Sequence, residues 1–208
     1  MSPVSHLEFL VEDLSMEAFL QASLPRLLPD CVTFEAHRFQ GKHDLLRKLP
    51  ARLSGYSRWL PPNWRIVVLV DRDAEDCRKL KGRIEAIFRR ASLTSRSSRP
   101  EAGSWQVVSR LAIEELEAWY FGDWNAVRRC FPKASPTVPR GAKYRQPDGI
   151  SGGTWEALER LLQQKGYFPS GLNKIEAARA IGGEIDWSEN RSPSCRLFRD
   201  TLLEAVTG

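Results

Sequence analysis

The sequence predicts an α/β protein with a mostly parallel sheet flanked by helices and a helical C-terminal extension. Three observations carry that expectation. First, three apolar, strand-like runs each end on a carboxylate: Phe9-Leu10-Val11 into Glu12, residues 66–70 into Asp71 and Asp73, and Leu111-Ala112-Ile113 into Glu114. Second, helical stretches separate these runs, and strands alternating with helices assemble as a parallel sheet with helical crossovers. Third, residues 66–70 are all apolar and rich in β-branched side chains, the mark of a strand buried on both faces. In a parallel sheet the C-terminal strand ends share one edge, where ligand sites form. Acids from three distant parts of the chain are therefore expected to gather there.

The first strand is expected near residues 7–11. A helix follows that Ser15 is placed to cap, with Met16, Phe19, Leu20, Ser23, Leu24 and Leu27 on one face until Pro29 stops it. Val32, Phe34 and Ala36 then alternate with Thr33, Glu35 and His37, predicting a second strand with one face in solvent. Residues 41–56 read as a helix that is basic on its outer side. Pro61-Pro62-Asn63 punctuates the chain before the third strand, residues 64–70. A basic amphipathic helix is predicted over residues 75–91, carrying Arg78, Lys79, Lys81, Arg83, Arg89 and Arg90. Residues 92–103 are Ser/Arg-rich and read as an exposed loop. The fourth strand is expected at 105–113, with a helix over 114–121 directly behind it.

Beyond Phe131 the character changes, which divides the chain into an α/β domain over residues 1–131 and a basic loop with helical extension over 132–208. Residues 132–153 contain four prolines and four glycines, with Lys133, Arg140, Lys143 and Arg145 around Tyr144. That is too long for a simple connection, so the segment is either a functional loop or a mobile one. Trp155, Leu158, Leu161 and Leu162 mark a helix ending near Gly166; residues 174–181 give another, closed by Gly182-Gly183, and 194–206 a last one.

Composition sets the bounds. The 208 residues are 42% hydrophobic and 27% charged, so an ordinary core is available and global disorder is excluded. A net charge of +5 permits nucleic acid or phosphorylated ligands without requiring them. Cys31, Cys77, Cys130 and Cys195 stand far apart, with no C-x-x-C pair and no histidine at zinc spacing, which predicts free thiols in a reducing cytosol. No leader and no run of transmembrane length is present, so a soluble cytoplasmic protein without membrane contact is expected.

Asp71-Arg72-Asp73 is the sharpest local motif. Two aspartates at i and i+2 past a buried strand can face the same space as the chain turns; the alternative for Asp73 is the N-cap of the helix that follows, and its place after a parallel central strand favours the site. On a helix over 114–121, Glu114 and Glu117 share a face while Glu115 points elsewhere, and the helix dipole favours such acids in any protein; the choice between Glu114 and Glu117 stays open. Like charges brought together raise each other's pKa unless a cation compensates. An all-oxygen donor set suits a hard divalent ion, Mg²⁺ or Mn²⁺. Other chemistries lack their residues: there is no G-x-x-x-x-G-K-[ST] and no G-x-S-x-G, and an aspartyl-nucleophile phosphatase expects Thr or Val where Glu75 stands. Residues 149–154 offer a Gly-rich turn able to cradle phosphate, or simply a turn. Arg78, Lys79, Lys81, Lys143 and Arg145 are candidates to track a nucleic-acid backbone, against the alternative of solvated charge.

A strand ending in Glu followed by a strand ending in D-x-D resembles the Toprim domains of topoisomerases, primases and overcoming-lysogenization-defect nucleases. More narrowly, the chain resembles the bacterial domain-of-unknown-function family 4276. The matching runs are Val11-Glu12-Asp13, Gln40-Gly41-Lys42-His43-Asp44, Leu69-Val70-Asp71-Arg72-Asp73, Ile113-Glu114-Glu115-Leu116-Glu117-Ala118-Trp119, Gly152-Gly153-Thr154-Trp155, Lys174-Ile175-Glu176-Ala177-Ala178 and Asn190-Arg191-Ser192-Pro193-Ser194. The resemblance implies a Toprim-like fold and a Mg²⁺-dependent nuclease, with Glu12 as general acid/base and Asp71 and Asp73 as metal ligands. It also implies a partner ATPase of the AAA or ABC type in an antiviral defence pair. Two features depart from the pattern: Asp13 stands where Toprim domains commonly carry Gly, and Cys195 where relatives tend to carry Phe. The other expectation is a non-catalytic regulatory or toxin-like subunit that binds an ATPase or nucleotide.

Overall fold

The structure, a computed structural model, describes residues 3–100 and 104–207. Four strands, β1 (His6–Val11), β2 (Thr33–Arg38), β3 (Trp64–Asp71) and β4 (Val107–Ala112), form one sheet in the order β2-β1-β3-β4. All three pairings are parallel. The expected α/β class is therefore what the chain adopts. Strands β1 and β3 are central and buried along almost their whole length, whereas the edge strand β2 alternates, as its mixed sequence requires.

Helices α1 (Leu14–Ser23), α2 (Lys42–Tyr56) and α3 (Cys77–Arg90) connect the strands. The pleat sends successive residues to opposite faces, and the two hydrophobic cores follow that period. Phe9, Val67, Leu69 and Val108 belong to one core, with α1 and the C-terminal helices. Leu10, Ile66, Val68 and Val70 belong to the other, with α2 and α3. Helix α3 buries Leu80, Ile84 and Phe88 at four-residue spacing and leaves its basic side in water.

Several local expectations are corrected. Helix α1 is capped by Asp13, which accepts from the Met16 amide at 2.9 Å, while the Ser15 hydroxyl donates to Asp13 at 2.8 Å. Helix α3 is capped by Asp76, which accepts from the Lys79 amide at 2.9 Å, so capping does not occupy Asp73. The helix behind β4, α4, spans only Glu117–Gly122. Of the segment read as an exposed loop, Leu93 and Ser95 are buried and Ser95 bridges to Val107; residues 101–103 lie outside the described residues.

The chain continues through α5 (Trp124–Cys130), α6 (Thr154–Gln163), α7 (Lys174–Glu184) and α8 (Pro193–Thr207). Gly182 and Gly183 sit inside α7 rather than ending it. A Cβ on Gly182 would stand 2.9 Å from the Phe19 carbonyl oxygen, so bare backbone is what lets α7 lie against α1. The Trp119 ring packs against Phe19, Trp187 and Phe198, and Phe198 reaches Phe9 on β1, so the C-terminal helices and the sheet share this core. Residues 132–153 form three short 3₁₀ turns. They are pinned by Tyr144 stacked on Phe121, with centroids 5.3 Å apart, and by Asp148, which accepts from the Ser194 amide at 2.7 Å.

Candidate carboxylate site

The parallel register places the ends of β1 and β3 side by side, with Val11 opposite Leu69. One residue beyond, Glu12 Oε2 accepts a hydrogen bond from the Asp71 amide at 3.1 Å. The Asp71 side chain is enclosed here, and its Oδ1 is buried with no hydrogen-bond partner. Burial pushes the Asp71 carboxyl well above its usual range, and the charges of Glu12, Glu117, Asp13 and Asp73 push it further. Glu12 is raised as well. Burial is the largest cause, opposed by the Asp71 amide and by Lys42.

Glu117 opens α4 and is only 3% exposed. Its carboxyl is pushed up to about 7, first by burial and then by Glu115 and Asp13, while Lys174 pulls it down. One turn on, Tyr120 is 1% exposed and its hydroxyl has no partner. Burial raises that phenol, with Glu117, Asp13 and Asp71 adding to the effect. Glu12, Asp13, Asp71, Glu117 and Tyr120 thus converge at the C-terminal edge of the sheet.

The other acids of the sequence motifs do different work. Asp73 is half-exposed in the left-handed region at φ 50°, and its carboxylate meets Lys42 Nζ at 2.5 Å. Lys42 also donates to the Arg72 carbonyl at 3.1 Å and lies 3.3 Å from Glu75. Glu114 pairs with Arg72 and has φ 61°, and its carbonyl accepts from the Asp73 amide at 2.7 Å. The expected shared helical face of Glu114 and Glu117 does not exist, because this left-handed turn precedes the helix. Glu115 caps α6, accepting from the Thr154 amide and hydroxyl and from the Trp155 amide at 2.8–3.0 Å.

Of the basic candidates, Arg78 and Lys79 are exposed on α3, and Lys143 and Arg145 are exposed in the 132–153 segment. Lys81 differs, being half-buried beside Arg110. Sequence reasoning missed Asp13, Lys42, Tyr120 and Lys174. A signal existed for two of them: Asp13 directly follows Glu12, and Tyr120 lies three residues after Glu117, one helical turn away.

Among the described residues, no three His, Cys, Asp or Glu side chains come together as a group able to hold a metal ion by themselves. The donor chemistry nevertheless fits a hard cation. Mg²⁺ typically takes one or two carboxylates and completes its shell with water and substrate phosphate oxygens. Asp71, with its unpartnered Oδ1, and the adjoining Glu12 form such a pair.

The profile of the domain of unknown function (DUF4276) matches residues 11–203. The chain belongs to this family. The DUF4276 match starts at the last residue of β1 and ends within α8, so it takes in the acid cluster and the helical extension together. No curated protein and no solved structure matches the chain. Among the described residues, no helix is long and apolar enough to cross a membrane.

Proposed function

We propose that this DUF4276 chain is a Toprim-like, metal-dependent nuclease that hydrolyses phosphodiesters of DNA or RNA at the Glu12–Asp71 edge. One observation carries the reading: a buried carboxylate oxygen without a partner, at the parallel-sheet edge, among acids whose pKa values are raised. Such clusters are costly unless a cation binds, and perturbed acids gathered at a sheet edge are candidates for a functional site. Asp71 and Glu12 would hold Mg²⁺ or Mn²⁺. When bound, that ion supplies charge for the scissile phosphate and activates water. Glu12, whose carboxyl burial raises above the ordinary carboxylate range, would hold or take the proton as general acid/base. Lys42 places a cation between Glu12 and Asp73, where developing negative charge on a phosphate would be stabilised. Arg78, Lys79, Lys143 and Arg145 would follow the backbone of the nucleic acid.

The partner in this reading is an ATPase of the AAA or ABC type, with the nuclease as effector of a defence pair. A second reading rests on the Lys42–Asp73 pair, which ties up the carboxylate that a D-x-D metal site would use. Under it, the chain is a non-catalytic subunit that binds an ATPase or nucleotide. The deciding experiment incubates the purified chain with end-labelled single- and double-stranded DNA and RNA in Mg²⁺ or Mn²⁺. Cleavage that disappears in EDTA and falls at least a hundredfold in Glu12→Gln and Asp71→Asn supports the nuclease. Absence of cleavage on all four substrates, with and without an added ATPase of the AAA or ABC type, leaves the subunit reading.

A further inference from the structure

A cavity of about 250 Å³ opens on the free edge of β4, between α3 and α8. Its walls include Leu111, Ile113 and Leu197, and Leu197 is 48% exposed at the rim. Lys81 and Arg110 also line it. Arg110 is only 5% exposed: its Nε donates to the Thr201 hydroxyl at 2.7 Å and its Nη1 to the Ser109 carbonyl at 2.9 Å, while Nη2 has no partner. Among the described residues, Lys81 makes neither an ion pair nor a side-chain hydrogen bond.

The nearby acids are bonded to other groups, Asp148 among them, which lines the cavity and accepts from the Ser192 hydroxyl and the Ser194 amide. Glu85 accepts from the Ser95 and Ser97 hydroxyls at 2.7 and 2.8 Å, and Glu204 pairs with Arg96 and Arg99 at 2.5 and 2.8 Å. Two cations are therefore left adjacent beside an apolar wall with no carboxylate bonded to either. Burial, followed by the charge of Arg96, brings Arg110 down to about 10, and burial followed by Arg110 lowers Lys81. A bound anion would relieve both.

A bare inorganic ion would leave Leu111, Ile113 and Leu197 uncovered, so the complementary ligand has an anionic head and a body with an apolar face. The volume lies just under the usual range for small-molecule pockets, roughly 300–1,000 Å³, which favours a single nucleotide over a dinucleotide. Asp148, also in the lining, opposes further negative charge and so favours a monophosphate over a triphosphate. We propose that this cavity binds a nucleoside monophosphate, its phosphate at Lys81 and Arg110 and its base against Leu111, Ile113 and Leu197. The same chemistry is presented by a free mononucleotide and by the 5′-phosphorylated end of a strand. The site shares no residue with the Glu12–Asp71 cluster, and its occupancy does not depend on catalysis there.

Calorimetric titration of the full chain in EDTA tests the assignment with AMP, adenosine, inorganic phosphate and a 5′-phosphorylated tetranucleotide. AMP should bind at least tenfold more tightly than adenosine or phosphate alone. Lys81→Gln and Leu197→Glu should each weaken AMP at least tenfold with no loss of melting temperature, since each relieves the repulsion between Lys81 and Arg110. Asp71→Asn should leave it as it was, which separates this site from the proposed nuclease centre. A tetranucleotide that binds at least tenfold more tightly than AMP identifies a strand end as the ligand; equal affinity identifies the free nucleotide. AMP binding no tighter than phosphate, or unaffected by both cavity substitutions, overturns the proposal.

Discussion

The backbone amide of Asp71 donates to the Glu12 carboxylate across the β1–β3 boundary at 3.1 Å. That bond holds the Glu12 side chain over the end of the neighbouring strand, where Asp71 Oδ1 is itself buried without a partner. Neither residue's neighbours satisfy the negative charge fully, and the consequences are measurable.

Divalent metal should stabilise the wild-type chain. A ligand that binds only the native state raises stability by RT ln(1 + [L]/Kd), about 2.7 kcal/mol at a hundredfold excess over Kd. Asp71→Asn removes the carboxylate that is hardest to ionise, so its melting temperature in EDTA should match or exceed that of wild type. It should also lose most of the shift produced by Mg²⁺ or Mn²⁺. Equal metal-induced shifts in the two proteins would place the ion elsewhere.

The acid cluster also predicts how stability depends on pH. Glu117 stands at about 7 in the folded chain against an ordinary value of 4.5. The folded state therefore binds its proton more tightly than the unfolded state does. Its contribution is fully present below about 4.5 and is lost as pH rises through about 7. The effect is on the order of 3 kcal/mol, and the raised Asp71 and Glu12 act in the same direction. Urea unfolding in EDTA between pH 4.5 and 7.5 should show Glu117→Gln losing less stability than wild type as pH rises. Parallel curves would mean that Glu117 is not buried as described.

Adjacent glycines in α7 should respond in opposite ways. A side chain at Gly182 meets the Phe19 carbonyl, so Gly182→Val should cost about 1–3 kcal/mol, in the range of overpacked cores. A side chain at Gly183 would meet open space, and Gly183→Ala should gain roughly 0.5–1 kcal/mol from helix propensity. Chemical denaturation of the two variants checks the pair. Equal effects would contradict the close α1–α7 approach.

The exposed cations of the 132–153 segment should act through salt. Replacing Lys143 and Arg145 together by Gln should weaken nucleic-acid binding similarly across sequences. It should flatten the slope of log K against log salt by roughly one to two units, about one per lost phosphate contact. Fold stability should move by no more than about 0.5 kcal/mol. Unchanged affinity for single- and double-stranded DNA and RNA would assign this segment to a protein partner instead.

The succession of strands and helices, and the placing of Glu12 and Asp71 directly after strands, were readable from sequence. Apolar runs such as residues 66–70 have few structural options, and a parallel sheet brings Glu12 and Asp71 to one edge whatever the details of packing. Less visible was the division of labour among Glu114, Glu115 and Glu117. It depends on a left-handed residue at Glu114, whose carbonyl bonds the Asp73 amide from a different strand loop. The glycines of α7 read as a stop because propensity is local, whereas their actual role is set by the approach of α1.

Sequence by itself thus determined the α/β class, the helices with strong apolar spacing, and which carboxylates follow strands. Those features arise from covalent period and local preference, which each segment carries alone. Tertiary structure alone decided that Glu117 and Tyr120 are buried beside Asp71, that Lys42 engages Asp73, and that Lys81 meets Arg110. Burial and charge coupling are properties of distances between segments far apart in the chain. They take effect only once α2, α3 and α4 have packed on the sheet.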